Sequence, residues 1–165
     1  MFRTMTEIRT AKLNDLNRLS EIEFLCFPIL EAASKDSIEK RLKVFATHFY
    51  VLYHENDIIG FVNGMVSNQE SLSDEMYDDA QLHDENGSWQ MIFGLDVIPA
   101  FRNKGMAALL MNHIILQAKN EGRKGLVLTC KEHLIHYYAK FGFCNEGVSQ
   151  SVHGNVVWYQ MRLSF

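Results

Sequence analysis

Leu95-Asp96-Val97-Ile98-Pro99-Ala100-Phe101-Arg102-Asn103-Lys104-Gly105-Met106-Ala107 is the stretch on which the fold turns. Its first residues close an apolar run from Trp89 to Ile98, which predicts a buried strand. Pro99 breaks that run, and Arg102 to Lys104 form a turn. A helix is expected from there to about Glu121, because Ala107, Leu110, Met111, Ile114 and Ala118 recur at helical spacing; Gly122 stops it. The turn reads R-x-x-G-x-A. A helix N-terminus carries unpaired N–H groups and partial positive charge, which suits a pyrophosphate. Gly105 lets the backbone approach phosphates without a Cβ in the way. Ala107 keeps the next turn slim, and Arg102, Asn103, Lys104 and Met106 complete the motif. A basic strand–helix turn is also common with no ligand, so these residues alone leave both readings open.

Downstream, Leu126 to Cys130 reads as a buried strand and Glu132 to Phe141 as a short helix closed by Gly142. Phe143 to Val148 and Val156 to Leu163 read as closing strands. Phe141, Gly142 and Phe143 are explained by core packing and a cap. The adjacent tyrosines Tyr137 and Tyr138 are not, since neighbours on a helix point to different faces; at least one hydroxyl belongs in a polar site. Upstream, Thr6 to Thr10 suggests a first strand. A helix from Asn14 to Phe27 ends at Pro28, and a second runs from Ser34 or Asp36 to Ala46, with Ile38, Leu42 and Phe45 on one face. Phe49 to Tyr53 and Ile58 to Val66 form a hairpin across Glu55-Asn56-Asp57. An acidic loop of about 20 residues follows, with room for one helical turn and long enough to suggest a functional cover. The order is α/β, with hairpins early and strand–helix units late.

The 165 residues fit one domain, and 47% hydrophobic content supports a core. No run approaches the ~20 apolar residues of a membrane span, and Met1 to Thr10 does not read as a leader peptide. Cys26, Cys130 and Cys144 are odd in number and lack metal-type spacing, which points to a reduced, cytoplasmic protein. The net charge of −4 conceals a division. Residues 44–101 carry ten acids and no Lys or Arg, whereas residues 102–165 carry eight Lys/Arg and three acids. The acidic part is either a solvated loop or a lure for a cation, and the basic part suits an anionic cofactor. No basic aromatic stripe or recognition helix points to nucleic acid. The seven histidines have no metal-ligand spacing, so no metal is expected.

The phosphate-type turn and Leu128-Thr129-Cys130 through Phe143 together resemble the GNAT superfamily of acyl-CoA-dependent N-acetyltransferases. The resemblance spans the whole chain. Cys26-Phe27-Pro28 with Glu31-Ala32-Ala33-Ser34, Thr129-Cys130 before Tyr137-Tyr138-Ala139-Lys140-Phe141-Gly142-Phe143, and Ser151-Val152-His153-Gly154 with Trp158-Tyr159 resemble the arylalkylamine (serotonin-type) members and their microbial relatives. The resemblance implies one acyl-CoA N-acyltransferase domain over residues 1–165. It would be a mixed, mostly antiparallel sheet flanked by helices and splayed at the acyl-CoA site. It further implies acetyl-CoA bound along Leu95, Asp96 and Val97 and at Arg102 to Ala107. Tyr138 would touch the cofactor and protonate the leaving thiolate. The acceptor would be a small arylalkylamine- or polyamine-like primary amine attacking directly, and a homodimer stays open. The sequence departs from the vertebrate serotonin enzymes, whose two strand histidines relay the amine proton: Met91 and Phe93 stand there. Insect relatives are proposed to use a glutamate near Glu31, which makes Glu31 the candidate base with His153 as its rival. Phe27, Met91 and Phe93 would wall the substrate. Acetylation of a protein N-terminus or lysine, and non-catalytic acyl-CoA binding, remain as alternatives.

Overall fold

The computed structural model describes residues 6–165; residues 1–5, and with them half of the stretch read as lacking a leader, lie outside the described part. Nine strands and five helices follow one another. β1 (Thr6–Thr10) leads to α1 (Leu16–Cys26) and α2 (Lys35–Phe45). Next come β2 (Phe49–His54), β3 (Asp57–Asn63) and β4 (Val66–Ser67), then α3 (Asp74–Asp78), β5 (Trp89–Ile92) and β6 (Gly94–Val97). The chain closes with α4 (Met106–Asn120), β7 (Gly125–Cys130), α5 (Ile135–Ala139), β8 (Cys144–Val148) and β9 (Tyr159–Ser164).

Most of this order is the expected one, with three physical differences. The start of α1 is tied by Asp15 rather than Asn14: its carboxylate accepts the Lys12 N–H at 2.8 Å and pairs with Arg9 at 2.9 Å. Ser34 does cap α2, accepting the Ser37 N–H at 3.1 Å. The acidic segment holds more than the single helical turn expected of it, since a 3₁₀ turn over Ala80–Leu82 follows its helix. It holds α3, whose Met76 packs with Leu72 and Ala80 against Phe45, Met65, Trp89 and Val127. The third difference concerns Trp89 to Ile98. On one side this run is continuous, with Met91 N–H donating to Met65 O (2.8 Å) and Phe93 N–H to Asn63 O (2.7 Å). On the other side it pairs in parallel with β7 only from Trp89↔Gly125 to Ile92↔Leu128. Beyond Ile92 the two strands part.

That parting divides the strands into an antiparallel group β1-β2-β3-β6 and a mixed group β4-β5-β7-β9-β8. Side chains alternate across β2. Tyr50 and Leu52 join Leu110, Met111, Ile114 and Ala118 of α4 in one core, while Phe49 and Val51 join Leu19, Ile22, Ile38 and Leu42 of α1 and α2 in another. The first sheet therefore packs a core on each face. Among the described residues, no helix is long and apolar enough to cross a membrane.

Candidate active site

Two cavities occupy the gap. The first, about 300 Å³, lies between Ile92-Phe93-Gly94-Leu95 and Leu128-Thr129-Cys130. The second, about 550 Å³, runs from Leu95 and Val97 over Phe101 and Arg102 to the start of α4 and to Tyr137 on α5. They share Phe27, Leu95, Leu134 and Tyr138, which form a waist.

The second cavity runs beside a helix start. Asn103 and Gly105 both take positive φ (60° and 78°), which turns the backbone into α4. A Cβ placed on Gly105 would meet nothing within 4 Å, so space lies open beside the free N–H groups of a 15-residue helix. Arg102, Asn103, Gly105, Met106 and Ala107 line it, as expected. Two expected contributors stand elsewhere. Lys104 does not line the cleft, and its ammonium lies 5.4 Å from the Phe101 ring centre. Asp96 points the other way, because side chains alternate along a strand: Leu95 and Val97 face the cleft, and Asp96 is wholly buried behind it. Arg102 works partly on the protein itself, since its Nε donates to the Val97 carbonyl at 3.0 Å. The Cys26 thiol donates to the same oxygen at 3.4 Å, and burial pushes that thiol up.

The first cavity is closed over by aromatic and polar groups. Phe27, Glu31, Phe93 and His153 line it, as expected. Met91 does not. It lies where β5 and β7 are still paired and has no exposed surface, so the open face begins only at Phe93. Glu31 comes to a site, but its carboxylate has the Lys131 Nζ at 2.8 and 3.1 Å. His153 donates from Nε2 to the Glu31 carbonyl (2.8 Å), and its ring stacks on Tyr77 at 5.2 Å. Tyr77 in turn hydrogen-bonds Thr129 across 3.2 Å. Tyr77 and Asp78 belong to the acidic segment, so that segment does cover the cavity. It is fastened at Asp74, which accepts from the Ser151 hydroxyl and the Val152 N–H. At the waist, burial raises Tyr138 well above the ordinary phenol range, so it stays protonated. Tyr137 lines only the second cavity.

Glu23 and Arg41 also line the first cavity, and the motifs gave neither of them. A signal was present. Glu23 follows Leu19 by four residues and Arg41 follows Ile38 by three, so each charge sits on an otherwise apolar helix face. Away from the gap, His48, His83 and Glu85 come together although their spacing in sequence hides it, with ligand-type atoms within 4.8 Å of one another. Their bonding is that of a tether. The Val66 N–H donates to His83 Nδ1 (3.0 Å), which leaves the ring proton on Nε2, and the Arg123 guanidinium lies 3.1 Å from Glu85.

The sequence model of the acetyltransferase (GNAT) family matches residues 16–143. Several solved structures share the fold. The loading GNATL domain of CurA from Lyngbya majuscula is 15% identical, with 97% of this chain and 98% of that one covered and a TM-score of 0.84. The GphF GNAT-like decarboxylase in complex with isobutyryl-CoA is 21% identical, with 96% and 98% covered and a TM-score of 0.83. The ribosomal-protein-S18-alanine N-acetyltransferase from Escherichia coli is 18% identical, with 97% and 94% covered and a TM-score of 0.68.

Proposed function

Because the chain belongs to the GNAT acetyltransferase family, we propose that it moves an acetyl group from acetyl-CoA to the primary amine of a small, ring-bearing molecule. The observation that carries this reading is the pair of cavities meeting at Tyr138. The larger offers a helix start and an open glycine to a pyrophosphate. The smaller is lined by the aromatic rings of Phe27, Phe93, Tyr77 and Trp158, which favour a cation, and by Glu23, Asp78, Arg41 and the Lys131-paired Glu31. Three free cysteines fit a reducing compartment such as the cytoplasm.

The chemistry of the chain's own groups follows from this layout. The start of α4 holds the phosphates, and Leu95 and Val97 lay the acyl arm along the free edge of β6. A backbone N–H of that edge polarises the thioester carbonyl. The amine enters from the smaller cavity, with the aromatic walls excluding water. Tyr138, at the waist, gives its proton to the departing sulfur. Glu31, engaged by Lys131, shapes the acceptor side rather than acting as a free base.

A compact ring-bearing amine is favoured over an extended peptide, since Tyr77, His153 and Trp158 supply much of the lining of this chamber. The test is a panel of arylalkylamines, polyamines and short peptides with acetyl-CoA, read as free thiol. Higher kcat/KM for ring-bearing amines than for peptides is expected. Preference for a peptide would move the substrate to a protein N-terminus or lysine, and coenzyme A binding with no thiol released under any acceptor would leave a non-catalytic binder.

A further inference from the structure

A primary amine has a pKa near that of lysine, about 10.4, so it reaches the cavity as an ammonium and must shed a proton before it attacks. Met91 and Phe93 cannot take it. Glu31 is occupied by Lys131, and His153 by the Glu31 carbonyl and Tyr77.

α1 supplies another group. Glu23 is 7% exposed, yet it lines the acceptor cavity. Its Oε2 accepts the Ala33 N–H at 2.8 Å. Its Oε1 lies 3.9 Å from the point where a Cβ on Gly94 would stand, and Asp96 Oδ1 lies 3.0 Å from the same point. The two carboxyl groups thus flank the bare Gly94, where the strands part. Asp96 has no exposed surface, and neither of its oxygens meets a donor. Two ionised carboxylates repel and cannot donate to each other; one proton on Asp96 removes the repulsion and supplies a donor. Burial, and then Glu23, push Asp96 well above the usual carboxylate range in the same direction. The buried Arg41 guanidinium lines the same cavity. It donates to Asn63 Oδ1 (3.2 Å) and the Tyr77 carbonyl (3.1 Å), while its Nε meets no acceptor. Around this pair the other titratable groups are Cys26 on α1, Tyr77 and Asp78 of the cover, the Glu31–Lys131 pair, Cys130 at the end of β7, His153, and Tyr138 at the waist.

We propose that Glu23 is the base of the transfer, a catalytic residue taking the ammonium proton, and that Asp96 is a positioning residue that holds Glu23 through a shared proton. This rests on the amine acetylation proposed above. The ammonium gives one proton to the Glu23 carboxylate, which passes it to solvent. The freed nitrogen lone pair attacks the thioester carbonyl carbon; the C–N bond forms and the C–S bond breaks. The sulfur takes the Tyr138 proton, and the second proton shed by nitrogen restores Tyr138. One amide, one thiol and one released proton result.

The experiment compares Glu23→Gln, Asp96→Asn and Asp96→Ala with wild type by pH–rate profile on the best amine, with coenzyme A affinity as the check on folding. Glu23→Gln is expected to lower kcat/KM about 100-fold at neutral pH. The defect should shrink as pH approaches that of the free amine, with coenzyme A binding unchanged. Asp96→Asn keeps an N–H donor for Glu23 and should retain most activity, whereas Asp96→Ala should lose it about tenfold. A Glu23→Gln profile overlaying wild type, or a loss equal at every pH, overturns the assignment. A carbon-13 titration of the wild-type carboxyl groups is a second readout that needs no variant to fold: Asp96 should be protonated at neutral pH, and an ionised Asp96 there overturns the pair. Absence of wild-type turnover on any amine would remove the functional reading itself. Turnover with an indifferent Glu23 removes only this inference.

Discussion

Tyr138 and Tyr137 are adjacent in sequence and differ in placement: Tyr138 lines both cavities and Tyr137 only the larger. The phenol of Tyr138 is raised by burial, so the proton needed by a departing thiolate is present across the working range. Tyr138→Phe keeps the ring and removes the donor. Turnover should fall about 100-fold with little change in coenzyme A affinity, and Tyr137→Phe should leave turnover near wild type. Stopped-flow thiol release on both variants checks this, and the reverse pattern would exchange the two. Helix phase alone marked at least one of the two tyrosines for a polar site, and only the family resemblance singled out Tyr138. Glu31 was readable as a cleft residue, since Pro28 ends α1 just before it. Its partner Lys131 lies 100 residues away, and no local pattern foretells that pairing. Met91 shows the opposite failure. Alternation puts Met91 and Phe93 on one face, and only the point at which β7 departs decides that one is core and the other is wall.

At the scale of an element, the start of α4 bears most of the cofactor argument. Gly105 sits at φ 78° with open space beside it, so the glycine serves both the turn and the room next to it. Gly105→Glu should weaken coenzyme A binding by more than tenfold, on the order of more than 1.4 kcal/mol, by calorimetry. Gly105→Ala should cost about 1–2 kcal/mol of stability through the left-handed backbone alone. Wild-type affinity in a folded Gly105→Glu would take the phosphates away from this helix. This element was legible because R-x-x-G-x-A between a strand and an apolar-periodic helix is a local pattern. The cover was legible only as an acidic segment of unusual length. Its closure depends on Met76 reaching Phe45 and Trp89, and on Asp74 reaching Ser151, contacts made by chain folding rather than by spacing.

The whole molecule is two groups of strands held apart at one end, with the acidic pair and the guanidinium buried where they diverge. Such a centre carries a cost in stability that follows pH. Asp96 in the unfolded chain ionises near pH 3.9, whereas folding holds its proton to higher pH. The folded state therefore binds more protons, and wild-type stability should fall as pH rises above about 4 until the folded carboxyl itself ionises. Asp96→Asn needs no proton. Its stability relative to wild type should climb through that window, by at most about 1.4 kcal/mol per pH unit, in urea midpoints taken at a series of pH values. A difference constant with pH would mean that Asp96 is ionised in the fold. The order of elements along the chain and the α/β class were readable from periodicity, but the charges at the divergence were not, because α1 and α2 bring Glu23 and Arg41 there from segments whose periodicity marks only a core face.

The central claim is acyl transfer onto nitrogen at the waist between the two cavities. The most direct measurement is a mass spectrum of the products after incubation with acetyl-CoA labelled with carbon-13 in its acetyl group and a phenethylamine-type acceptor, with free thiol counted alongside. The account predicts the amine bearing one labelled acetyl group, in amounts equal to the thiol released. Thiol released together with labelled acetate and the amine unchanged, or a labelled acetyl group found only on a peptide acceptor, would contradict it.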